Sequence, residues 1–272
     1  GGNTLTGWSI VNLLKQFCKT FQVIIPSKAH STATLIALGA TSIMMTKQAT
    51  LGPIDPSVNG PLNPQAPGPN PMARIPVSVE SINSYFEFVK NIGVKNAGEM
   101  AKVVIDLASK IHPVVLGDVY RTRSQIRMLG TRLLSKHIKD KKKITKILDF
   151  LCSESGSHDY TIYRREACDE IGLNIAKPDD EQYMVIKALN DDYSKELLLM
   201  TPFDPKVILS QSNESDYSLV RGIIESVDGG STRFMSKGKL RKTQIQVPVG
   251  PMMQVQQGIE DQRYFEGWTN EL

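Results

Sequence analysis

The sequence has few of the features that mark a disulfide-stabilised, metal-binding or membrane-spanning protein. Its 272 residues include three cysteines, whose odd number and irregular spacing fit neither a closed disulfide framework nor a zinc site. No apolar run approaches the roughly 18 residues of a membrane-spanning helix. There is no Walker loop, so ATP binding has no support. We therefore expect a protein of a reducing compartment that needs neither a metal nor another cofactor.

Strong charge of one sign is also lacking. The formal net charge is +4, and the one dense basic run, residues 139–143, contains no interleaved aromatic residue or glycine. Such a run is typical of the solvated face of a helix. The sequence therefore gives no indication of a nucleic-acid partner.

The start of the chain lacks an initiator methionine and a signal peptide. It opens on Gly1-Gly2 and leads almost at once into an amphipathic helix, with Thr4 or Thr6 as its expected cap. This opening suggests that upstream sequence is missing. The predicted location is therefore the cytoplasm, or a membrane reached through an absent N-terminal segment.

Two short apolar runs with a small-residue helix between them define the predicted core. Residues 22–26 and 42–46 are expected to be buried strands, and residues 31–40 the helix that joins them. A strand, a helix and a strand in so few residues imply a right-handed parallel crossover. We therefore predict an α/β fold in which these two strands are parallel neighbours.

The remainder of the chain suggests a loop, a helical layer and a strand-rich end. Residues 53–76 are dense in proline, glycine and asparagine and predict a long irregular loop. Helical patterns follow at about 79–91, 96–110, 117–137 and 140–153, and from about 183 onwards the segments read as strands, with Asp228-Gly229-Gly230 as a hairpin turn. The predicted organisation is a core of residues 1–175 and a strand-rich extension of residues 176–272.

Ser31, in the stretch "AHSTAT", is the first candidate for chemistry. A serine at the start of a helix that follows a buried strand can expose its hydroxyl beside backbone amides that would stabilise an oxyanion. Serine is also a common N-cap, and a small-residue helix beside a parallel strand is ordinary core packing. On this local pattern alone, both interpretations stay open.

Several motifs resemble a known family. The glycine pair before a helix, the run "AHSTATLIALGATSIMMTKQATLGPIDP" and the later "SHDYTIYRREACDEIGL" together resemble the serine dehydrogenase proteinase family of the Clp-protease and crotonase fold, which is related to signal peptide peptidase A. The family typically carries "TPGG", "AMSAGT" and "HSSLGPIDP". The resemblance covers about the first 175 residues, and it implies a Clp-protease/crotonase-like parallel-sheet core.

The resemblance also implies roles for individual residues. Ser31 would be the nucleophile, Gly1 and Gly2 the end of a glycine loop that donates amides to an oxyanion, and Asp159 the acid of the triad. Thr32 follows the nucleophile where the family has alanine. The position of the family's histidine is occupied by Gln48, and glutamine cannot act as a general base near neutral pH.

Three other residues could therefore act as the general base in place of this histidine. His158 adjoins Asp159 in sequence, His30 adjoins Ser31, and Lys47 would form a serine–lysine dyad if it pointed inward. Each has a structural alternative: His30 a packing or substrate-contacting role, and Lys47 a solvated position at the end of a strand. Asp55, in "LGPIDP", is a further candidate for contact with substrate or with the loop's own amides.

Two functions of different classes follow. The first is an ATP-independent serine peptidase acting on polypeptides. The second is a catalytically degenerate protein of the same fold that binds peptides or serves assembly, an alternative favoured by Gln48. Acyl-CoA chemistry is a weaker third, because no adenine or pantetheine site is recognisable. Relatives of this fold assemble through helical layers, so a homo-oligomer is expected, with residues 96–153 as its interface.

Overall fold

The computed structural model describes residues 2–68, 70–154, 159–249 and 252–271. Contacts along the chain divide it into a first unit, Gly1–Tyr183, and a second unit, Met184–Leu272. The boundary that we placed after residue 175 from the sequence remains a prediction. Each unit is described below by itself.

The first unit is a mixed α/β structure. Its elements, in chain order, are α1 Thr4–Phe17, β1 Gln22–Ile25, β2 Lys28–Ala29, α2 Thr32–Leu38, β3 Ser42–Met45, β4 Thr50–Leu51, β5 Ser57–Val58, β6 Val77–Ser78, α3 Val79–Asn91, α4 Ala97–Lys110, α5 Pro113–Leu134, α6 Lys141–Asp149, a π-helical turn Phe150–Glu154, β7 Ile162–Tyr163, α7 Arg164–Asp169 and β8 Ile175–Ala176.

A parallel sheet lies at the centre of this unit, in the order β1-β3-β8. Strand β1 pairs in parallel with β3, from Gln22 opposite Ser42 to Ile25 opposite Met45. Helix α2 connects these strands, and most of its residues are buried, as its small and apolar composition predicts. The predicted parallel pair with a crossover helix is therefore confirmed.

A second, shorter sheet carries the strands β2, β4 and β7. Strand β2 is parallel to β4, whereas β7 is antiparallel to it. Pro26 separates β1 from β2 because proline cannot donate a ladder hydrogen bond, and the Thr46 hydroxyl holds the Pro26 carbonyl at 2.7 Å. Each of these strands has two residues, too few for an alternating pattern, and none was predicted from the sequence.

Helices α1 and α2 approach each other closely at glycines. A β-carbon added at Gly39 would lie 2.5 Å from a methyl of Val11, and one at Gly7 would lie 2.7 Å from a methyl of Thr32. Both distances are too short for real atoms, so glycine permits this packing. The cap of α1 is Asn3, whose side chain accepts from the amides of residues 5 and 6. The prediction of Thr4 or Thr6 as this cap was wrong, because both lie inside the helix.

The helical layer follows the predicted pattern. Helices α3 to α6 start at side-chain caps from Ser78, Asn96, His112 and Asp140, and α5 begins earlier than predicted because Pro113 stands at its first position. Helix α5 packs against α6 at Gly130, where a β-carbon would lie 2.5 Å from a methyl of Leu148. No helix in the described ranges is long and apolar enough to cross a membrane.

The proline-rich segment is more ordered than the predicted irregular loop. Strands β5 and β6 form an antiparallel pair that closes it, and residues 65 and 74 form a further bridge. The buried amide of Asn63 donates to the carbonyls of Val58 and Ile75 at 2.7 and 2.9 Å. The segment therefore starts and ends at one place on the first unit.

The second unit begins within a helix where we predicted strands. Helix α8 spans Asp180–Glu196 and α9 spans Pro205–Ile208, so the predicted strands in residues 183–208 were wrong. Asp179 and Gln182 fix the start of α8, because each side chain bonds the other residue's amide, at 2.8 and 3.1 Å. This reciprocal capping box overrides the strand-like apolar run at 183–186.

Three long antiparallel strands complete the second unit. They are β9 Glu214–Ser226, β10 Gly230–Val249 and β11 Met252–Glu271, in the order β11-β10-β9. Strands β9 and β10 join across the predicted turn at 228–230, where Gly230 has a φ of 70°. The hairpin prediction is therefore confirmed, and glycine suits this position because it adopts positive φ without steric cost.

The three cysteines differ in accessibility, which gives a test of the core. Cys152 is buried, and burial raises the pKa of its thiol to about 12; Cys168 is exposed, although burial and its neighbour Asp169 raise the pKa of its thiol too. Because the thiolate is the reactive form, we expect iodoacetamide at pH 8 to modify Cys168 in the native protein and to leave Cys152 unmodified. Peptide mass spectrometry with and without guanidinium measures this, and equal modification of both in the native protein would contradict the packing described.

Candidate active site

Ser31 lies on a strained turn between strand β2 and helix α2. Its φ of 58° and ψ of −116° place it in a region that residues with a β-carbon avoid. Such a conformation costs on the order of 1–3 kcal/mol and persists only where the surroundings hold it. Ser31 occupies the N-cap position, but its side chain caps no helix amide. Ser31 is therefore not an ordinary N-cap serine.

The backbone amides that follow Ser31 differ in their hydrogen bonds. In the described ranges, the amides of Ala33 and Leu35 bond the carbonyls of His30 and Ser31, each at 3.1 Å, whereas no such bond is seen for the Thr32 amide or the Ser31 side chain. A half-buried serine on a strained strand-to-helix turn, followed in sequence by an amide outside the helix ladder, is the pattern expected of a nucleophile with an oxyanion donor.

Thr32 connects this turn to the glycine at the start of the chain. The Thr32 side chain is buried, and its hydroxyl donates to the Gly2 carbonyl at 2.5 Å. Gly2 is thereby held next to the residue that follows Ser31. Gly1, the other glycine implied in oxyanion binding, lies outside the described residues.

The Thr34 side chain locks the ends of two strands to helix α2. Its hydroxyl, fully buried, lies 2.8 Å from the carbonyl oxygen of Ala29 and 2.7 Å from that of Gly52. The Gly52 amide also donates to the Ala29 carbonyl at 3.1 Å. The C-terminal ends of β2 and β4 are therefore fixed relative to each other and to the first turn of α2.

The His30 side chain lies across strand β4. Its Nε2 is 3.1 Å from the Thr50 hydroxyl. A β-carbon added at Gly52 would lie 2.5 Å from the ring's Cγ, so the imidazole rests against the glycine backbone. His30 therefore contacts Thr50 in β4 and Gly52, the residue that follows this strand.

Lys47 and Gln48 lie together on the turn between β3 and β4. Both side chains are exposed. The residues on either side of them, Thr46 and Ala49, are buried and fix the course of this turn. The structure thus leaves Lys47 and Gln48 on the solvent side, in contrast to the half-buried Ser31.

Asp159 precedes strand β7 at the edge of the short sheet where Ser31 also lies. Ala29 and Ile162 both pair with Leu51, in parallel and antiparallel directions respectively, so the chain after Ala29 and the chain before Ile162 lie at the same end of β4. Strands β2 and β7 flank β4 and are therefore roughly 10 Å apart. Asp159 is exposed. Its neighbour His158 lies outside the described residues.

Asp55, three residues after Gly52, lies near a second group of polar side chains. It is half-buried, and its charge acts on Glu80 at the start of α3. Burial raises the pKa of Glu80, and Asp55 raises it further, while Asn83 and Arg123 lower it. Asp55 therefore lies close enough to Glu80 for the two charges to interact.

The N-terminal part of the chain is similar to a known protein family. Residues 1–71, which include Ser31 and "LGPIDP", match the ClpP-like SDH-type serine proteinase family. The resemblance is confirmed for this segment. The family consists of serine proteinases, which supports hydrolase chemistry in general. No solved structure matches the chain.

The chain is also similar to an uncharacterised protein of Methanocaldococcus jannaschii. It is 31% identical to this chain over 176 residues, which is 64% of this chain and 50% of the relative. The chain therefore spans about half the length of that protein.

Sequence reasoning missed the side chains that support the Ser31 turn. Thr34, Thr50 and Gly52 were not singled out, because their contacts join strands of two residues each. The one signal available was the density of small and hydroxylated residues around Ser31, which is also typical of ordinary core packing.

The buried Thr34 hydroxyl predicts a measurable contribution to stability. Thr34→Val keeps the shape but removes the single hydroxyl proton that the Ala29 and Gly52 carbonyls share, while the Ala29 carbonyl keeps the Gly52 amide as a donor. We therefore expect the free energy of unfolding in urea to fall by about 1–3 kcal/mol. Thr131→Val is the control, because the exposed Thr131 hydroxyl bonds a carbonyl within its own helix. Equal losses for both variants would show that Thr34 does not lock the strand ends.

Proposed function

We propose that the chain is a serine peptidase of the Clp fold in which Ser31 is the nucleophile. The observation that carries this proposal is the strained Ser31 turn between β2 and α2, whose serine side chain does not cap the helix. The family match of residues 1–71 supports it. The proposed substrate is a polypeptide, and the proposed core is the Clp-protease/crotonase-like parallel sheet.

The reaction would proceed through an acyl-enzyme. Ser31 Oγ attacks the peptide carbonyl carbon while its proton passes to a base, and the carbonyl electron pair moves onto oxygen. The Thr32 N–H and the amides of the glycine segment that ends at Gly2 stabilise this oxyanion. When the C–N bond breaks, the base returns the proton to the leaving amine. Water then hydrolyses the ester by the same steps.

The proposed proton acceptor lies near the end of β4 that the chain after β2 and the chain before β7 share. In the proposed triad, a side chain between Ser31 and Asp159 relays the proton. We propose His158, which adjoins Asp159 in sequence, as the base to be tested first. Lys47 is a weaker choice, because its side chain is exposed on the turn between β3 and β4.

The wider properties follow as proposals. No ATPase motif occurs in the sequence, so the peptidase would act without ATP. The helical layer within residues 96–153 is the proposed surface for self-association. Both the cytoplasm and a membrane reached through a further segment of the protein are compatible with this function.

One observation favours a non-catalytic alternative. Gln48 stands where the family has its histidine, and its side chain is exposed. A protein without a base at this position would still offer backbone donors to a peptide carbonyl. It would then act as a peptide-binding or assembly module.

A fluorophosphonate probe distinguishes the two functions. Such probes require an activated hydroxyl and an oxyanion site, so we expect covalent labelling at Ser31, located by peptide mass spectrometry, and no labelling of Ser31→Ala. Ser27→Ala is the matched control, because Ser27 is a nearby exposed serine. No labelling of the folded protein would favour the binding module.

The same probe assigns the base. We expect His158→Ala to reduce the labelling rate by about a hundredfold or more, and Lys47→Ala to leave it unchanged. Gln48→His should raise the rate if the imidazole reaches Ser31 and Asp159. A large loss with Lys47→Ala would contradict the assignment of His158.

A further inference from the structure

The strained backbone of Ser31 requires contacts on both sides of the turn. On the helix side, Thr32 and Thr34 supply them through the carbonyls of residues 2, 29 and 52. On the strand side, the side chain next to Ser31 is His30, and its imidazole is the group that contacts β4. The position of Ser31 therefore depends on how firmly the His30 ring is held.

Thr50, in β4, and Gly52, directly after β4, hold that ring. Thr50 is 7% exposed, and its backbone is fixed within the sheet because Lys28 and Tyr163 pair with it on either side. Its hydroxyl lies 3.1 Å from His30 Nε2. At residue 52 a side chain would occupy the space of the ring, since a β-carbon would lie 2.5–2.9 Å from three ring and side-chain atoms of His30.

We infer that Thr50 and Gly52 are positioning residues for the nucleophile, and that they act through His30. The Thr50 hydroxyl fixes the imidazole, the glycine backbone gives it a surface to rest on, and the ring holds the turn that keeps Ser31 at positive φ. In this inference His30 acts as a positioning residue, through the contacts of its ring with Thr50 and Gly52. The claim that these contacts support reaction at Ser31 rests on the proposed function. The claim that they hold the turn rests on the geometry alone.

Two variants of Thr50 test the inference. Thr50→Val removes the hydroxyl and keeps the shape, so we expect the rate of fluorophosphonate labelling at Ser31 to fall about tenfold. Thr50→Ser keeps the hydroxyl and should label within about threefold of the wild-type rate. Thr46→Val is the matched control: Thr46 is a buried threonine before β4 whose hydroxyl bonds the Pro26 carbonyl, and its loss should leave labelling unchanged.

Gly52→Ala tests the other contact. The added methyl displaces the ring, so we expect a loss of labelling at least as large as with Thr50→Val. Gly60→Ala is its control, because a β-carbon there would meet its nearest neighbour at an ordinary 3.7 Å. Wild-type labelling rates in Thr50→Val or Gly52→Ala, or an equal loss in Thr46→Val, would overturn the inference.

A readout independent of activity separates this inference from the proposed function. The amides of Ala33 and Leu35 bond the carbonyls of residues 30 and 31, so their hydrogen exchange reports on the turn. We expect Thr50→Val to raise exchange at these amides about tenfold and Thr46→Val to leave it unchanged. Should the wild-type protein fail to label while this exchange pattern holds, the peptidase proposal fails and the positioning role stands. Unchanged exchange in Thr50→Val would overturn the positioning role, whatever the labelling.

Discussion

Ser31 has a backbone conformation that only glycine adopts without strain, and the surrounding part of the first unit is arranged so that it persists. The penalty of on the order of 1–3 kcal/mol is offset by contacts that converge on one turn. Helix α2 is anchored through Thr34 to the ends of β2 and β4, and through Gly39 to α1. If this packing were looser, the turn would relax and the hydroxyl would cap the helix, as most serines at this position do.

The short sheet explains how distant parts of the sequence reach the same place. Strands β2, β4 and β7 contribute two residues each, yet their pairings fix the order in which three chain segments leave one end of β4. The segments after β2 and before β7 carry Ser31 and Asp159. Because β4 lies between them, its own residues face the gap that a proton relay would have to cross. This arrangement makes Thr50 and Gly52 part of the site although neither carries chemistry.

The sequence predicted the elements whose signals are local. The parallel pair β1 and β3 was predictable because each strand is an apolar run with a proline or glycine near it, and the hairpin at 228–230 because two glycines follow an aspartate. Helix α8 was not, since its apolar run resembles a strand and the capping pair of Asp179 and Gln182 was overlooked. Ser31 was found through its family motif. The contacts that hold Ser31 were not predicted, because His30 follows β2 and Thr50 lies in β4, 20 residues further along the chain.

The glutamine at position 48 and the strained serine turn are physically separate features. The contacts that hold the turn come from residues 29, 30, 34, 50 and 52, so they do not depend on the side chain of Gln48. In both proposed functions, backbone donors beside Ser31 would bind a peptide carbonyl, with or without a proton acceptor. Peptide binding and peptide cleavage therefore share the turn and differ in one requirement, a base within reach of the Ser31 hydroxyl. The difference between the two functions lies in proton transfer and not in the fold.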